Sequence, residues 1–289
     1  MRLLTAVCVA AACLAAAPAA PAASEPRTET AGAGPVAATL TYTVEDGTAA
    51  GDVRLAVTRD GTPAAVARDG LVLAGCEKRC AGAVPVGALE GSAASSLTFA
   101  DLAGDGDPEI IVDFFTGGAH CCSISAIYGW DAATSTYRRV IKFWGDPGYT
   151  LRSLGGPGQD LVTGDYRFAY AFCAYACSAM PVVAYRYRAF GLHDVSDEHA
   201  DLMRSQNREL RRSIRELARD PEQWFAIRGV LPALCANLYR LDAGASCRRE
   251  LRRAQRRGWL GHAEKDEVWP AGRRYVPKLM RFLDRMGYR

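Results

Sequence analysis

The sequence predicts an α+β protein, a β-rich module of blade-like repeats followed by a small disulfide-stapled α-helical module. Three observations predict it. Short β-branched and aromatic runs punctuated by Gly, Pro and Asp occupy residues 37–195. Helical periodicity with capping residues takes over from Ser196. Eight cysteines beyond the leader come in closely spaced pairs. The 289 residues suit one large domain or two ordinary ones, and 49% hydrophobic with 23% charged residues argues against global disorder.

The first 23 residues read as a signal peptide. Arg2 supplies a positive start, Leu3 to Ala17 is an apolar run short for a membrane span, and the small residues of Ala20-Pro21-Ala22 suit a peptidase. Residues 24–36 are rich in Ala, Pro, Gly, Thr and Glu and read as a disordered lead-in. No later stretch is apolar enough to cross a bilayer, so the mature chain is expected to be secreted, free or held at the cell envelope, with no transmembrane segment.

Within the β-rich module, residues 37–195, three segments share a register. Asp60-Gly61, Asp105-Gly106 and Pro157-Gly158 are followed by Cys76, Cys121 and Cys173, each 15 positions after its glycine. A second cysteine follows closely, at Cys80, Cys122 and Cys177. The unit is a turn, an extended run and a cysteine-locked bend. Leu40 to Val44 alternates, Asp52 to Val57 alternates loosely, and Ile110 to Val112 is a continuous apolar strand core. Ser123 to Tyr128, Tyr137 to Phe143 and Met180 to Tyr187 complete the strands. Three units are too few for an ordinary closed propeller, so a compact sheet assembly is expected.

The register favours local bridges, Cys76–Cys80, Cys121–Cys122 and Cys173–Cys177, although eight cysteines formally allow 105 connectivities. Four residues of extended strand span about 13 Å, so both C-x3-C segments must bend to close. Cys121 and Cys122 either form a vicinal ring or, on a true strand, face opposite sides and need separate partners.

The run Asp101-Leu-Ala-Gly-Asp105-Gly-Asp107-Pro-Glu109 places carboxylates at alternate positions around glycines, a pattern that can curl oxygens about a hard cation such as calcium. It resembles the loop of FG-GAP/VCBS repeats, the integrin-type propeller unit, well over about residues 97–130 and faintly over 150–190. The resemblance implies calcium held by side chains of Asp101, Asp105 and Glu109, with Asp107 giving its side chain or carbonyl. Ala103 stands where the family usually has Asp or Asn, which removes one ligand, and the third unit has lost nearly all its acids. The tract Gly117 to Cys122 also looks like one seen beside such loops in exported bacterial proteins.

Residues 196–289 form the basic helical module. Ser196 is a candidate cap ahead of Asp197 and Glu198, with Met203, Leu210, Ile214 and Leu217 on one face. Asp220-Pro221 is a cap with proline at the first helical position, and a further start is expected near Leu231. A turn at Asp242–Gly244 leads to a helix over Cys247–Arg257 ended by Gly258, and Tyr275 to Gly287 is the last helix. Cys235 and Cys247 are expected to staple two antiparallel helices across that turn.

From Asp201 onward 21 Lys and Arg oppose 11 Asp and Glu, net +10, while residues 1–200 carry 14 against 21, net −7. Arg248, Arg249, Arg252, Arg253, Arg256 and Arg257 crowd one helix face opposed within it by Glu250 alone. Such a face is either simply solvated or suited to an anionic cell-envelope component. Nucleic acid is set aside, because the chain reads as exported and no aromatics interleave the basic run.

There is no nucleophile elbow, H-E-x-x-H helix or P-loop. The leading expectation is an exported, non-enzymatic binding or scaffold protein. The alternatives are an exported hydrolase using His120 with acidic-loop carboxylates, and a transition-metal protein using His120 with its adjacent cysteines.

Overall fold

The computed structural model describes residues 24–45, 48–49, 53–89, 91–261 and 268–289; the expected signal peptide lies outside them. Among these residues, fourteen strands run in chain order. The first seven are β1 (Glu25–Ala33), β2 (Val36–Glu45), β3 (Thr48–Ala49), β4 (Arg54–Arg59), β5 (Thr62–Val66), β6 (Val84–Pro85) and β7 (Leu97–Ala100). The rest are β8 (Glu109–Phe115), β9 (Ser123–Asp131), β10 (Thr136–Gly145), β11 (Thr150–Arg152), β12 (Asp160–Gly164), β13 (Val182–Arg188) and β14 (Gly191–Asp194). Four α-helices follow, α1 (Ala200–Leu217), α2 (Trp224–Arg240), α3 (Gly244–Arg256) and α4 (Tyr275–Met286). The α+β expectation holds, with strands preceding helices.

Ten strands form one curled sheet in the order β1-β2-β4-β5-β10-β9-β8-β6, with β3 beside β2 and β7 beside β8. Its pairs are antiparallel except β5 with β10, a short parallel contact. Alternation decides what it encloses. On β2, Val36, Ala38, Leu40, Tyr42 and Val44 are buried, and they meet Ile110, Val112, Phe114, Ile124 and Tyr128 from β8 and β9 inside the curl. The outer face of β8–β10 presents Ile111, Ile127 and Trp144 to Leu161 and Tyr187 of a second, four-stranded sheet, β11-β12-β13-β14. The far face of that sheet, through Val162 and Ala184, receives Leu202 of α1. The layers therefore run from curled sheet to small sheet to helices.

The three register units have a common anatomy. In each, the turn joins an antiparallel pair, β4/β5, β7/β8 or β11/β12, and the cysteines follow the second strand. The structure brings Cys76–Cys80, Cys121–Cys122 and Cys173–Cys177 to disulfide distance, the C-x3-C pairs with Cα separations of 5.5 and 5.7 Å. The 173–177 bend docks on α2 at Gly229, where any Cβ would collide with the Cys177 carbonyl. Cys235 and Cys247 also meet, with Cα atoms 4.9 Å apart, and staple α2 to α3.

Three local expectations are corrected. The disordered lead-in contains β1, whose nine residues pair along the length of β2. Its outward positions are small or polar, so no hydrophobic alternation announced it. Gly34, with φ +57°, opens the two-residue hairpin turn. Second, Ser196 does not cap α1; its hydroxyl accepts from the Ala184 N–H and donates to Asp194, tying β13 to the helix approach. Third, no new helix starts near Leu231. α2 runs through Pro232 because residues 226–238 are buried on every side, so packing compensates the lost backbone bond.

Glu29 pins β1 to the core sheet. Its carboxylate accepts from Tyr42 Oη at 2.8 Å, from the Ser96 N–H and Oγ, each at 2.7 Å, and from Ser95 Oγ at 3.1 Å. Burial alone would raise this carboxyl, but those donors outweigh it and leave the pKa below the ordinary 4.5. Because the folded value is lowered, the stabilisation is present above about 4.5 and lost as pH falls through the folded value. We expect Glu29→Ala to cost about 1–2 kcal/mol at neutral pH. Urea melts should show the gap from the parent closing at lower pH, and a gap independent of pH would refute the role.

Candidate functional site

The basic surface is larger than α3. All six expected arginines, Arg248, Arg249, Arg252, Arg253, Arg256 and Arg257, are exposed at or just past that helix, whose buried face is Cys247, Leu251 and Ala254. Glu250, the acidic residue of α3, does not neutralise them locally. Its Oε1 accepts from Nε of Arg211 on α1 at 3.0 Å, so it ties α3 to α1. Arg211 belongs to a stripe of its own. Arg204, Arg208, Arg211 and Arg215 are spaced four, three and four residues apart and share one side of α1, with all but Arg211 exposed. Glu209 and Glu216 project roughly 100° or more away around the helix. The Arg211–Glu250 bridge joins the two helices, each of which exposes arginines. The α1 half was missed in the sequence, although the spacing that marks it is visible there.

Local contacts fix some of these side chains. Arg249 Nη2 donates to Ser246 Oγ at 2.6 Å, and the Arg253 guanidinium lies 5.6 Å from the Trp259 ring centroid. The others extend into solvent, where their charges remain available to a partner within a Debye length of about 8–10 Å.

In the acidic loop, backbone N–H groups and one arginine engage the four carboxylates singled out as calcium ligands. Asp101 accepts from the backbone N–H groups of Gly104, Asp105 and Gly106 at 2.6, 3.2 and 3.1 Å, folding the loop about its own carboxylate. Asp105 accepts from the Asp107 N–H at 3.0 Å. Asp107 pairs with Arg59 Nη1 at 2.7 Å. Glu109 turns inward, accepting from the Leu102 and Ala103 N–H groups at 2.8 and 3.1 Å. Burial pushes the Glu109 carboxyl up to about 7 against those two bonds, with the Asp105 and Asp101 charges adding to the rise. The four carboxylates thus point to separate partners. The loop also packs on the third unit: Gly104, at φ +77°, sits against Pro157 and Gly158, and the Gln159 N–H donates to the Asp101 carbonyl at 2.9 Å. Among the described residues no three His, Cys, Asp or Glu side chains form a metal-holding group.

His120 is exposed and stacks on Tyr175, ring centroids 4.1 Å apart, while Tyr166 Oη donates to its carbonyl at 2.6 Å. Tyr175 in turn donates to Asp146. The neighbours of His120, Cys121 and Cys122, lie at disulfide distance from each other. No described helix is long and apolar enough to cross a membrane. Comparison with family models, with curated proteins and with solved structures returned no match.

Proposed function

We propose that this chain is an exported, non-enzymatic binding protein whose α1–α3 arginine surface docks on an anionic polymer of the cell envelope. The observation that carries it is the Arg211–Glu250 bridge, which ties α1 to α3, two helices that each expose several arginines. Paired cysteines suit an oxidising compartment. The rigid sheet layers then serve as a platform that keeps the helices in one orientation. Binding to a flexible polyanion needs charge density on a fixed surface rather than a deep pocket, and the surface supplies that.

The test is retention of the full chain on immobilised polyphosphate and on polyuronate. We expect binding that weakens at least tenfold as NaCl rises from about 50 to about 200 mM. We expect a similar loss when Arg208, Arg215, Arg253 and Arg256 are replaced together by glutamine. Retention that ignores both salt and these substitutions would defeat the proposal.

A further inference from the structure

Among the described residues three large hydrophobic side chains stand exposed, Tyr170 at 47%, Phe225 at 50% and Val268 at 78%. They come from distant stretches of chain, which the fold gathers around one loop, residues 169–178. The indole N–H of Trp269, the residue after Val268, donates to the Tyr170 carbonyl at 2.8 Å. The Phe225 carbonyl, at the start of α2, lies 3.9 Å from Sγ of Cys173. The exposed ring of His120 is 6.3 Å from that of Tyr170, and the Tyr175 ring is 5.7 Å from it. Tyr170 has φ +59°, a left-handed conformation that a bulky residue rarely adopts. Both its backbone groups are held there, since its N–H donates to Ser178 Oγ at 3.1 Å while its carbonyl takes the Trp269 bond. Strain of this kind persists where surrounding contacts over-determine it, and here it keeps an aromatic ring half in water.

Cations flank the same stretches. A Cβ on Gly258 would touch the Trp224 ring, so the end of α3, with Arg256 and Arg257 exposed, adjoins the start of α2. The Gly272 N–H donates to the Leu260 carbonyl at 3.0 Å, which brings the exposed Arg273 and Arg274 to that end as well. Across residues 169–178, 222–225, 256–261 and 268–274 these four arginines face one carboxylate, Glu222.

We propose that this patch docks on a membrane surface, with Tyr170, Phe225 and Val268 entering the headgroup layer and Arg256, Arg257, Arg273 and Arg274 meeting its anionic lipids. The charge decides the occupant. An apolar patch by itself suits any apolar partner, whereas aromatic and aliphatic side chains flanked by arginine match an anionic headgroup layer over an apolar interior. Tyrosine and tryptophan favour that boundary because one end of the ring is apolar and the other is wet. Each arginine near the surface gains from its negative potential. The docking is peripheral, since no described helix is long and apolar enough to cross a bilayer. It does not rest on the binding of a polyanion by α1 and α3, in which the three apolar side chains take no part.

The experiment is flotation of the full chain with vesicles of phosphatidylglycerol and phosphatidylcholine in equal parts, and with vesicles of phosphatidylcholine alone. We expect binding to the mixed vesicles, and binding weaker by about tenfold or more to phosphatidylcholine. Replacing Tyr170, Phe225 and Val268 together by serine should weaken binding to the mixed vesicles by about tenfold or more, with circular dichroism unchanged. Val268→Ser alone, at the most exposed of the three positions, should give a smaller loss in the same direction. Retention of the triple variant on polyphosphate should match the parent, which separates this surface from that of α1 and α3. No flotation overturns the proposal, and so does equal binding to the two kinds of vesicle. A triple variant that floats like the parent overturns it too, because charge alone would then hold the chain to the vesicle.

Discussion

Replacing Arg186 with methionine is expected to destabilise the fold by about 3–5 kcal/mol, a large fraction of the stability of an ordinary domain. Arg186 on β13 forks onto Asp160 of β12, Nε to Oδ1 at 2.9 Å and Nη2 to Oδ2 at 3.2 Å, and Asp160 is completely buried. The same guanidinium reaches Glu198 Oε2 at 2.7 Å and His199 Nε2 at 3.2 Å on the segment entering α1. One side chain therefore compensates a carboxylate in the small sheet and fastens that sheet to the first helix. Methionine fills similar volume but leaves Asp160 out of water with His199 Nε2, 3.8 Å away, in place of its bidentate arginine, and that desolvation carries the cost. Chemical denaturation should show the midpoint falling at an unchanged slope. Pairing the change with Asp160→Leu should recover much of the loss, since removing both members leaves no stranded charge. A single variant within about 1 kcal/mol of the parent would show that Asp160 is solvated by other means.

Replacing Cys235 and Cys247 together by alanine should cost about 3 kcal/mol. The bridge closes a segment of sequence separation 12, and chain-entropy scaling gives a loss of that size for a loop of such length. Both sulfurs are completely buried between α2 and α3, so their removal adds a small packing defect to the entropic term. The other C-x3-C bridges close only four-residue separations and should matter less. Because α3 is held chiefly by a narrow face of Cys247, Leu251 and Ala254, the reduced protein should expose α3 amides to hydrogen exchange before the sheets yield. A thermal midpoint unmoved by the double substitution would mean that the helical layer is set by packing alone.

How much of the fold was legible depended on whether the signal was local. The alternation of β2, the Asp220-Pro221 cap, the Gly287 stop at φ +80° and the cysteine register can each be read within a few residues, and the structure contains them all. β1 could not be read, because it is held by backbone pairing and by Glu29, whose partners Ser95 and Ser96 lie more than 60 positions away. α2 crosses Pro232 because of neighbours on other helices, information that a propensity cannot carry. The acidic loop carried the right residue types for a cation. What the spacing could not tell was that Arg59 and six backbone N–H donors would each engage one carboxylate or another.

The hydrogen bond from Tyr288 to Asp165 spans 123 positions and carries a consequence for how the molecule is made. Tyr288 is buried against Phe168, with the Arg240 guanidinium 5.0 Å from its ring centroid. A ribosome releases the partner of Asp165 only after every helix has been synthesised, so this closure is late by construction. A nascent chain can complete its curled sheet early, yet its middle layer waits, with Asp165 and Arg167 still in water.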